Sequence, residues 1–249
     1  IALIAYFVFG VDPQQIMGSG LVQGTQEPGK MGAPTDEEGA FVSQITGSTE
    51  DVWTGEFREA GRDYRPPTTV LYEQGTATGC GFGASAMGPF YCPNDQRIYL
   101  DLSFFRQLES DFGAPGEFAR AYVIAHEVGH HVQTLLGQSE QVRRAQAAAG
   151  SEAEANSYSV RLELQADCYA GVWARQSNDT RQWLDPGDVE AGMRAASAVG
   201  DDTLQRRTQG RVAPDSFTHG SSDQRVRWFT IGLQSGDPDS CDTFGASRL

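Results

Sequence analysis

Two histidines and a glutamate stand in the order His126-Glu127-Val128-Gly129-His130. On a helix, residues four apart lie one above the other on one face, so the two imidazoles could hold one Zn²⁺ between them. Glu127 would sit beside that ion and could take a proton from a water there. A pattern with three fixed positions in five also arises by chance, and the plain alternative is an amphipathic helix with a His-rich face. The surroundings favour the metal. Val123, Ile124 and Ala125 make the approach to His126 apolar. A helix this apolar is buried, and buried His and Glu need partners. Gly129 withholds a side chain where another element has to come close.

A zinc ion that does chemistry takes three protein ligands and keeps one position open. The chain has four histidines. His131 is turned by about 100° from His130 around a helix, which suits a core role better than sharing the ion. His219 is one candidate. Glu163 is the best placed, because in Glu163-Leu164-Gln165-Ala166-Asp167 two acids again share one helical face. A Glu there could ligate the ion while Asp167 accepts a hydrogen bond from a ligand histidine and sets its tautomer. An acidic pair on a helix is ordinarily a solvated face. Here Leu162, Leu164, Ala166, Tyr169, Val172 and Trp173 surround it, which argues for burial of at least one acid.

These groups need helices to hold them. Phe118, Tyr122, Val123, Val128, Val132 and Leu136 predict a helix over 117–136, ended by Gly137. A second long helix covers 152–176, with a polar, Ala-rich and partly helical stretch at 138–150 between the two. Asp185-Pro186 opens a further helix that Gly200 ends, and Ser221 or Ser222 caps a last one through Leu233, ended by Gly236. Upstream, Thr35 reads as an N-cap with Glu38 completing a capping box, for a helix over 36–46. Ser48 and Asp51 start another, with Val52, Trp53 and Phe57 at helical spacing, which stops near Gly61 ahead of Pro66-Pro67. Thr68 to Tyr72 reads as a strand, 75–92 as a hairpin or long loop, and 103–108 as a short helix. Arg97 to Asp101 alternates with one buried face, Ile98 and Leu100. An exposed edge on that strand could add a peptide as one more strand, with Tyr99 facing it, though an ordinary sheet strand reads equally well. The fold class is therefore α+β: a mainly helical domain with a small antiparallel-type sheet.

Four cysteines, Cys80, Cys92, Cys168 and Cys241, allow two disulfides in three pairings. Cys80 and Cys92 flank a Gly-rich segment and could clamp a hairpin; Cys168 would then tie the C-terminal tail to a helix through Cys241. No Cys-x-x-Cys spacing favours a cysteine zinc site, and disulfides belong outside the cytosol. A formal net charge of -14 argues against nucleic acid as a partner. Ile1 to Phe9 is an unbroken apolar run, too short alone to span a bilayer, which takes about 20 residues. It fits the end of a membrane anchor, the end of a signal segment or a buried strand, and the Gln-, Gly- and Pro-rich stretch that follows favours the anchor. The organisation expected is an anchor over 1–9, a linker over 10–34 and a zinc-binding domain over 35–249.

The stretches AYVIAHEVGHHVQ, SVRLELQADCYAGVWA, GDDTLQ and VAPDSFTHGSSDQRVRWF, in this order, resemble the neutral zinc metallopeptidase family of bacterial membrane-anchored proteins, of the gluzincin type. The likeness covers roughly residues 50–245. It implies a zincin-like fold, His126, His130 and Glu163 as Zn²⁺ ligands, Glu127 as general base and Asp167 as the hydrogen-bond partner of a ligand histidine. It also implies an N-terminal transmembrane helix, a catalytic domain in the periplasm or outside the cell, and a peptide or protein substrate cut by an endopeptidase rather than an exopeptidase. Related metallopeptidases have Thr-His-Pro and then an Arg near His219; here Gly220 stands in place of the Pro, with Arg225 a turn further on. His219 is expected to stabilise an oxyanion, against the alternative of a loop histidine capping the next helix. A different class of function also fits the sequence: a non-catalytic subunit that keeps the fold and works by docking into a membrane-protein complex.

Overall fold

Asp36 starts the first helix, α1 (Glu37–Glu59), by accepting a hydrogen bond from the Gly39 N–H at 2.7 Å. The computed structural model describes residues 36–73, 75–84, 88–110 and 116–249. The anchor over 1–9, the linker over 10–34 and the Thr35 cap all lie outside the described residues. Among the described residues, no helix is long and apolar enough to cross a membrane.

The two helices expected around Ser48 are one. Gly47 and Ser48 signal a break locally, but the Ser48 hydroxyl lies inside the fold, 2.7 Å from Ser177 Oγ and 3.1 Å from Trp173 Nε1. A small residue is needed there because α1 crosses a later helix at that point. Val42, Ile45, Val52, Trp53 and Phe57 face the core along the same stripe.

The sheet is mixed, which corrects the antiparallel expectation. β1 (Thr68–Tyr72) runs parallel to β5 (Arg97–Asp101), and β4 (Phe90–Cys92) pairs antiparallel with β5. The order is β1-β5-β4. A parallel pair needs a crossover connection, and residues 73–96 supply it, carrying the hairpin β2 (Gly75–Thr78) and β3 (Gly81–Ala84) as well as β4. Because β5 is central it is buried on both faces. Ile98 and Leu100 join the main core with Tyr91, while Tyr99 packs with Val70, Tyr72, Phe90 and Cys92. An edge role for β5 is thereby ruled out. Tyr99 faces no cleft: it is buried, stacked on Phe90, and donates to Asp95 at 2.7 Å.

Helix α2 (Leu102–Ser110) follows, its first turn capped by Asp101, which accepts from the Ser103 N–H at 2.8 Å. Then come α3 (Glu117–Leu135), α4 (Gln138–Ala148), α5 (Glu152–Arg181), α6 (Asp188–Ala198), α7 (Asp201–Gln209) and α8 (Ser222–Ser235). Gly137 follows α3 with φ 80°, as its position predicts. Ser221 caps α8 in a full capping box with Gln224. At α6 the start signal misleads: the helix begins at Asp188, two residues beyond the expected Pro186, with Gly187 at φ 100° as its cap, while Gly200 follows its end as expected and leads directly into α7.

α3, α5 and α8 form the core of the helical half. α5 and α8 meet backbone to backbone, since a methyl group on Gly171 would collide with the Phe229 carbonyl and one on Gly232 with the Cys168 carbonyl. Two disulfides complete the fold, Cys80–Cys92 and Cys168–Cys241. The first joins the β2–β3 turn to β4, so it clamps the hairpin onto the neighbouring strand. The second fixes a short 3₁₀ turn, Pro238–Cys241, to α5.

Candidate metal centre

α3 turns one face toward α5, and the approach is close because position 129 is glycine. A Cβ there would lie 3.1 Å from Ala166 Cα, tighter than ordinary contact. This seats Glu163 opposite the two histidines. His126 Nε2 is 3.2 Å from Glu163 Oε2, and His130 Nε2 is 3.4 Å from Glu163 Oε1. The three donors lie within 4.8 Å of one another and form the metal-competent cluster among the described residues. Tetrahedral zinc with arms of about 2.0–2.1 Å separates its ligand atoms by about 3.3–3.4 Å, so two imidazoles and a carboxylate at this spacing suit one ion. Their side chains are 9%, 16% and 19% exposed, so the cluster opens to solvent on one side.

Each histidine has a second nitrogen, and the two are held differently. His126 Nδ1 donates to Asp167 Oδ1 at 2.8 Å. Asp167 is fully buried and also takes the Tyr122 hydroxyl at 2.5 Å and a two-pronged grip from Arg225, with Nε and Nη2 each at 2.8 Å. His130 Nδ1 instead donates to the neutral amide oxygen of Gln133 at 2.9 Å.

The electrostatics follow from this packing. Burial disfavours every charge here, yet Arg225 and His126 overcome it at Asp167 and bring its pKa down to about 2. His126 is pushed up to about 10: burial alone would lower it, but Asp167 and Glu163 prevail. Glu163, held between two imidazoles, titrates well below the ordinary carboxylate range despite its burial. Glu127 moves the other way. Burial raises its pKa, with His126, His130 and a hydrogen bond from the Tyr91 backbone opposing. α3, which carries Glu127, packs against β4, the last strand of the sheet among the described residues.

His219 sits outside the donor cluster but close enough that Glu163 raises its pKa. Burial lowers that pKa, and the hydrogen bond to Asp201 and the Glu163 charge more than compensate. The loop that carries it is built on Asp201 at the start of α7. Asp201 Oδ2 accepts from the backbone N–H groups of Thr218, His219 and Gly220 at 2.7, 2.6 and 3.1 Å, and Asp201 Oδ1 lies 3.2 Å from His219 Nδ1. Gly220 takes φ 89°, a conformation a proline cannot adopt, which accounts for the Thr-His-Gly spelling. The N-cap of α8 is Ser221, so His219 does not cap that helix. His131 points away from the cluster, as expected. Its Nε2 donates to the Arg65 carbonyl at 2.6 Å and its Nδ1 accepts from the Tyr91 hydroxyl at 3.1 Å.

Sequence reading did not assign roles to Tyr122, Gln133, Asp201 and Arg225. Tyr122 and Gln133 were within reach, standing four residues before His126 and three after His130 on the same helix. Asp201 and Arg225 arrive from α7 and α8, and only the tertiary fold brings them in.

The family described as "Putative neutral zinc metallopeptidase" matches the chain over residues 1–244. Among curated proteins, "Uncharacterized protein YpfJ" of Escherichia coli is 49% identical over 247 residues, covering 99% of this chain and 85% of its own length. "Uncharacterized protein Rv2575" of Mycobacterium tuberculosis is 48% identical over 197 residues, covering 75% of this chain and 65% of its own. No solved structure matches the chain.

Proposed function

We propose, from the premise that this chain belongs to the family described as "Putative neutral zinc metallopeptidase", that it hydrolyses peptide bonds at the centre formed by His126, His130 and Glu163, with Glu127 as general base. The convergence of those three donors at the spacing of one tetrahedral ion carries the reading. A structural zinc site is closed by four protein ligands, and among the described residues this cluster has three.

A zinc ion held there would supply Lewis acidity to the scissile carbonyl and to the attacking water. Glu127 would do the proton work. Its buried carboxylate accepts the proton of that water and passes it to the leaving amine nitrogen. Burial raises its pKa and so matches it better to both steps. Asp167 would keep the His126 Nδ1 proton in place and leave Nε2 free to ligate. His219, its Nδ1 facing Asp201, would use Nε2 to stabilise the developing oxyanion.

β4 takes over the substrate role that the sequence suggested for β5. It ends the sheet beside α3, the helix that carries Glu127, and an extended peptide would add to it as a further strand. Holding a chain along its middle favours endopeptidase over exopeptidase cleavage. We place the domain, residues 35–249, outside the bacterial cytosol, anchored through the segment that includes Ile1–Phe9. The two disulfides support this side of the membrane.

The test is zinc analysis with a peptide-library assay on wild type and Glu127→Gln. The variant should keep its zinc and lose about 10²–10⁴-fold in turnover. Full activity in the variant would sink the mechanism. A wild type that holds zinc, cleaves nothing and co-purifies at fixed stoichiometry with membrane proteins would favour an assembly subunit instead.

A further inference from the structure

His130 is held by a neutral hydrogen-bond relay whose direction two backbone carbonyls dictate. Gln133 is fully buried and Gln165 nearly so. Gln133 Oε1 accepts from His130 Nδ1 at 2.9 Å, and Gln133 Nε2 donates to the Leu162 carbonyl at 2.7 Å and to Gln165 Oε1 at 3.1 Å. Gln165 Nε2 in turn donates to the Cys241 carbonyl at 3.1 Å. A carbonyl oxygen can only accept. The Cys241 carbonyl therefore turns the Gln165 amide so that its oxygen faces Gln133. The Gln165 oxygen and the Leu162 carbonyl then both demand the NH₂ end of Gln133. Only the Gln133 oxygen is left for His130, so Nδ1 must carry a proton, and Nε2, which faces Glu163, is the nitrogen left to ligate a metal. Flipping either amide would set acceptor against acceptor in a dry interior, which is costly.

The far end of the relay is anchored in its own right. Cys241 is bonded to Cys168, which follows Asp167 directly in α5. Arg161 holds the next stretch of the tail through the Thr243 and Ala246 carbonyls. The C-terminal turn thus lies behind the α5 segment that presents Glu163, and it reaches the opposite ligand on α3 through two side chains.

We propose that Gln133 is the positioning residue for His130, and that Gln165 passes the placement of the disulfide-tied C-terminal turn on to it. This rests on the zinc reading above and extends it to the support of one ligand.

The test is zinc affinity, by competition with a chelator, in the oxidised protein and in Gln133→Leu, Gln165→Leu and the double variant. Wild type must bind zinc stoichiometrically; if it does not, the metal reading itself fails. Given that it does, Gln133→Leu should weaken binding about 10- to 100-fold, the range for partners of metal ligands. Gln165→Leu should weaken it less, and it should add nothing further in the Gln133→Leu background. Undiminished affinity in Gln133→Leu, or losses that simply add, would overturn the relay. A second readout separates positioning from general destabilisation and serves equally where Gln133→Leu does not fold. In the long-range proton–nitrogen NMR spectrum of the zinc-loaded protein, the His130 Nδ1–H signal should be sharp in wild type and broadened by exchange in Gln165→Leu, with the His126 Nδ1–H signal unchanged. Equal change at both histidines, or none at His130, would overturn the proposal.

Discussion

In the helical half, α5 and α8 touch backbone to backbone at Gly171 and Gly232, and α3 comes close to α5, less tightly, at Gly129. In the strand half, the β2–β3 hairpin is fastened to its neighbours by the Cys80–Cys92 disulfide and by Asp95, which takes the Gly79 N–H at 2.8 Å. The two halves also give the centre different things. The helices supply ionisable side chains at fixed separations, whereas β4 ends the sheet beside the helix that carries Glu127, where the proposed reading seats the substrate. Dense packing suits the first task, because a ligand displaced by a fraction of an ångström is a worse ligand. Short strands with a small core of their own suit the second, and a covalent clasp makes up for the packing they lack.

The comparison breaks most readily at Arg225. Its guanidinium is buried against Asp167 in the helical half. Removing one member of a buried ion pair leaves the other charge uncompensated, at a cost of about 3–5 kcal/mol. Arg225→Met should lower the free energy of unfolding by that amount in urea titrations, and should weaken zinc binding through His126. Adding Asp167→Asn should restore part of the stability, because it removes the stranded charge. If Arg225→Met is as stable as wild type, the charged clasp is no part of what holds the helices together.

The disulfides sharpen the contrast at a smaller scale. Replacing Cys80 and Cys92 with serine opens a loop with a sequence separation of 12, which by chain entropy costs about 3 kcal/mol. That damage should stay in the strand half, so the variant should retain its zinc and its kcat while KM rises. A loss of zinc from this variant would show that the halves are not separable in the way their packing suggests.

How far the sequence reveals this molecule follows the same division. The helix with His126 and His130 and the helix with Glu163 and Asp167 are legible because their spacing and their apolar flanks are local facts. Ser48 misleads because a local break signal lost to a tertiary demand for a small residue between α1 and α5. The place of β5 in the sheet was not legible either. Its alternation shows one buried face, and nothing in its own residues says that Tyr99 would be covered by Val70, Tyr72 and Phe90 from elsewhere. His219 could be singled out but not oriented, since its partner Asp201 reaches it only through the fold. The three donors from the loop to the Asp201 carboxylate are backbone N–H groups, which carry no sequence signal at all.

The smallest effect tests the seam between the halves. His131 stands on α3 but bonds to Tyr91 of β4 and to the Arg65 carbonyl ahead of β1. Burial lowers its pKa below the ordinary histidine value, with the Arg65 carbonyl working in the opposite direction. The unfolded chain takes up a proton near pH 6.5, while the folded chain keeps this ring neutral to lower pH. The unfolded state therefore binds more protons in that window, and stability must rise with pH through it. The contribution of His131 is fully present above about pH 6.5 and drains away as pH falls toward the lowered folded pKa. Comparing wild type with His131→Leu by urea unfolding across a pH series should show a difference that is flat above that value and shrinks below it. A difference that stays flat down to about pH 5 would mean that His131 titrates in the fold as it does in water. Water would then have to reach the seam, and the strand half would rest on the helices less tightly than the buried ring implies.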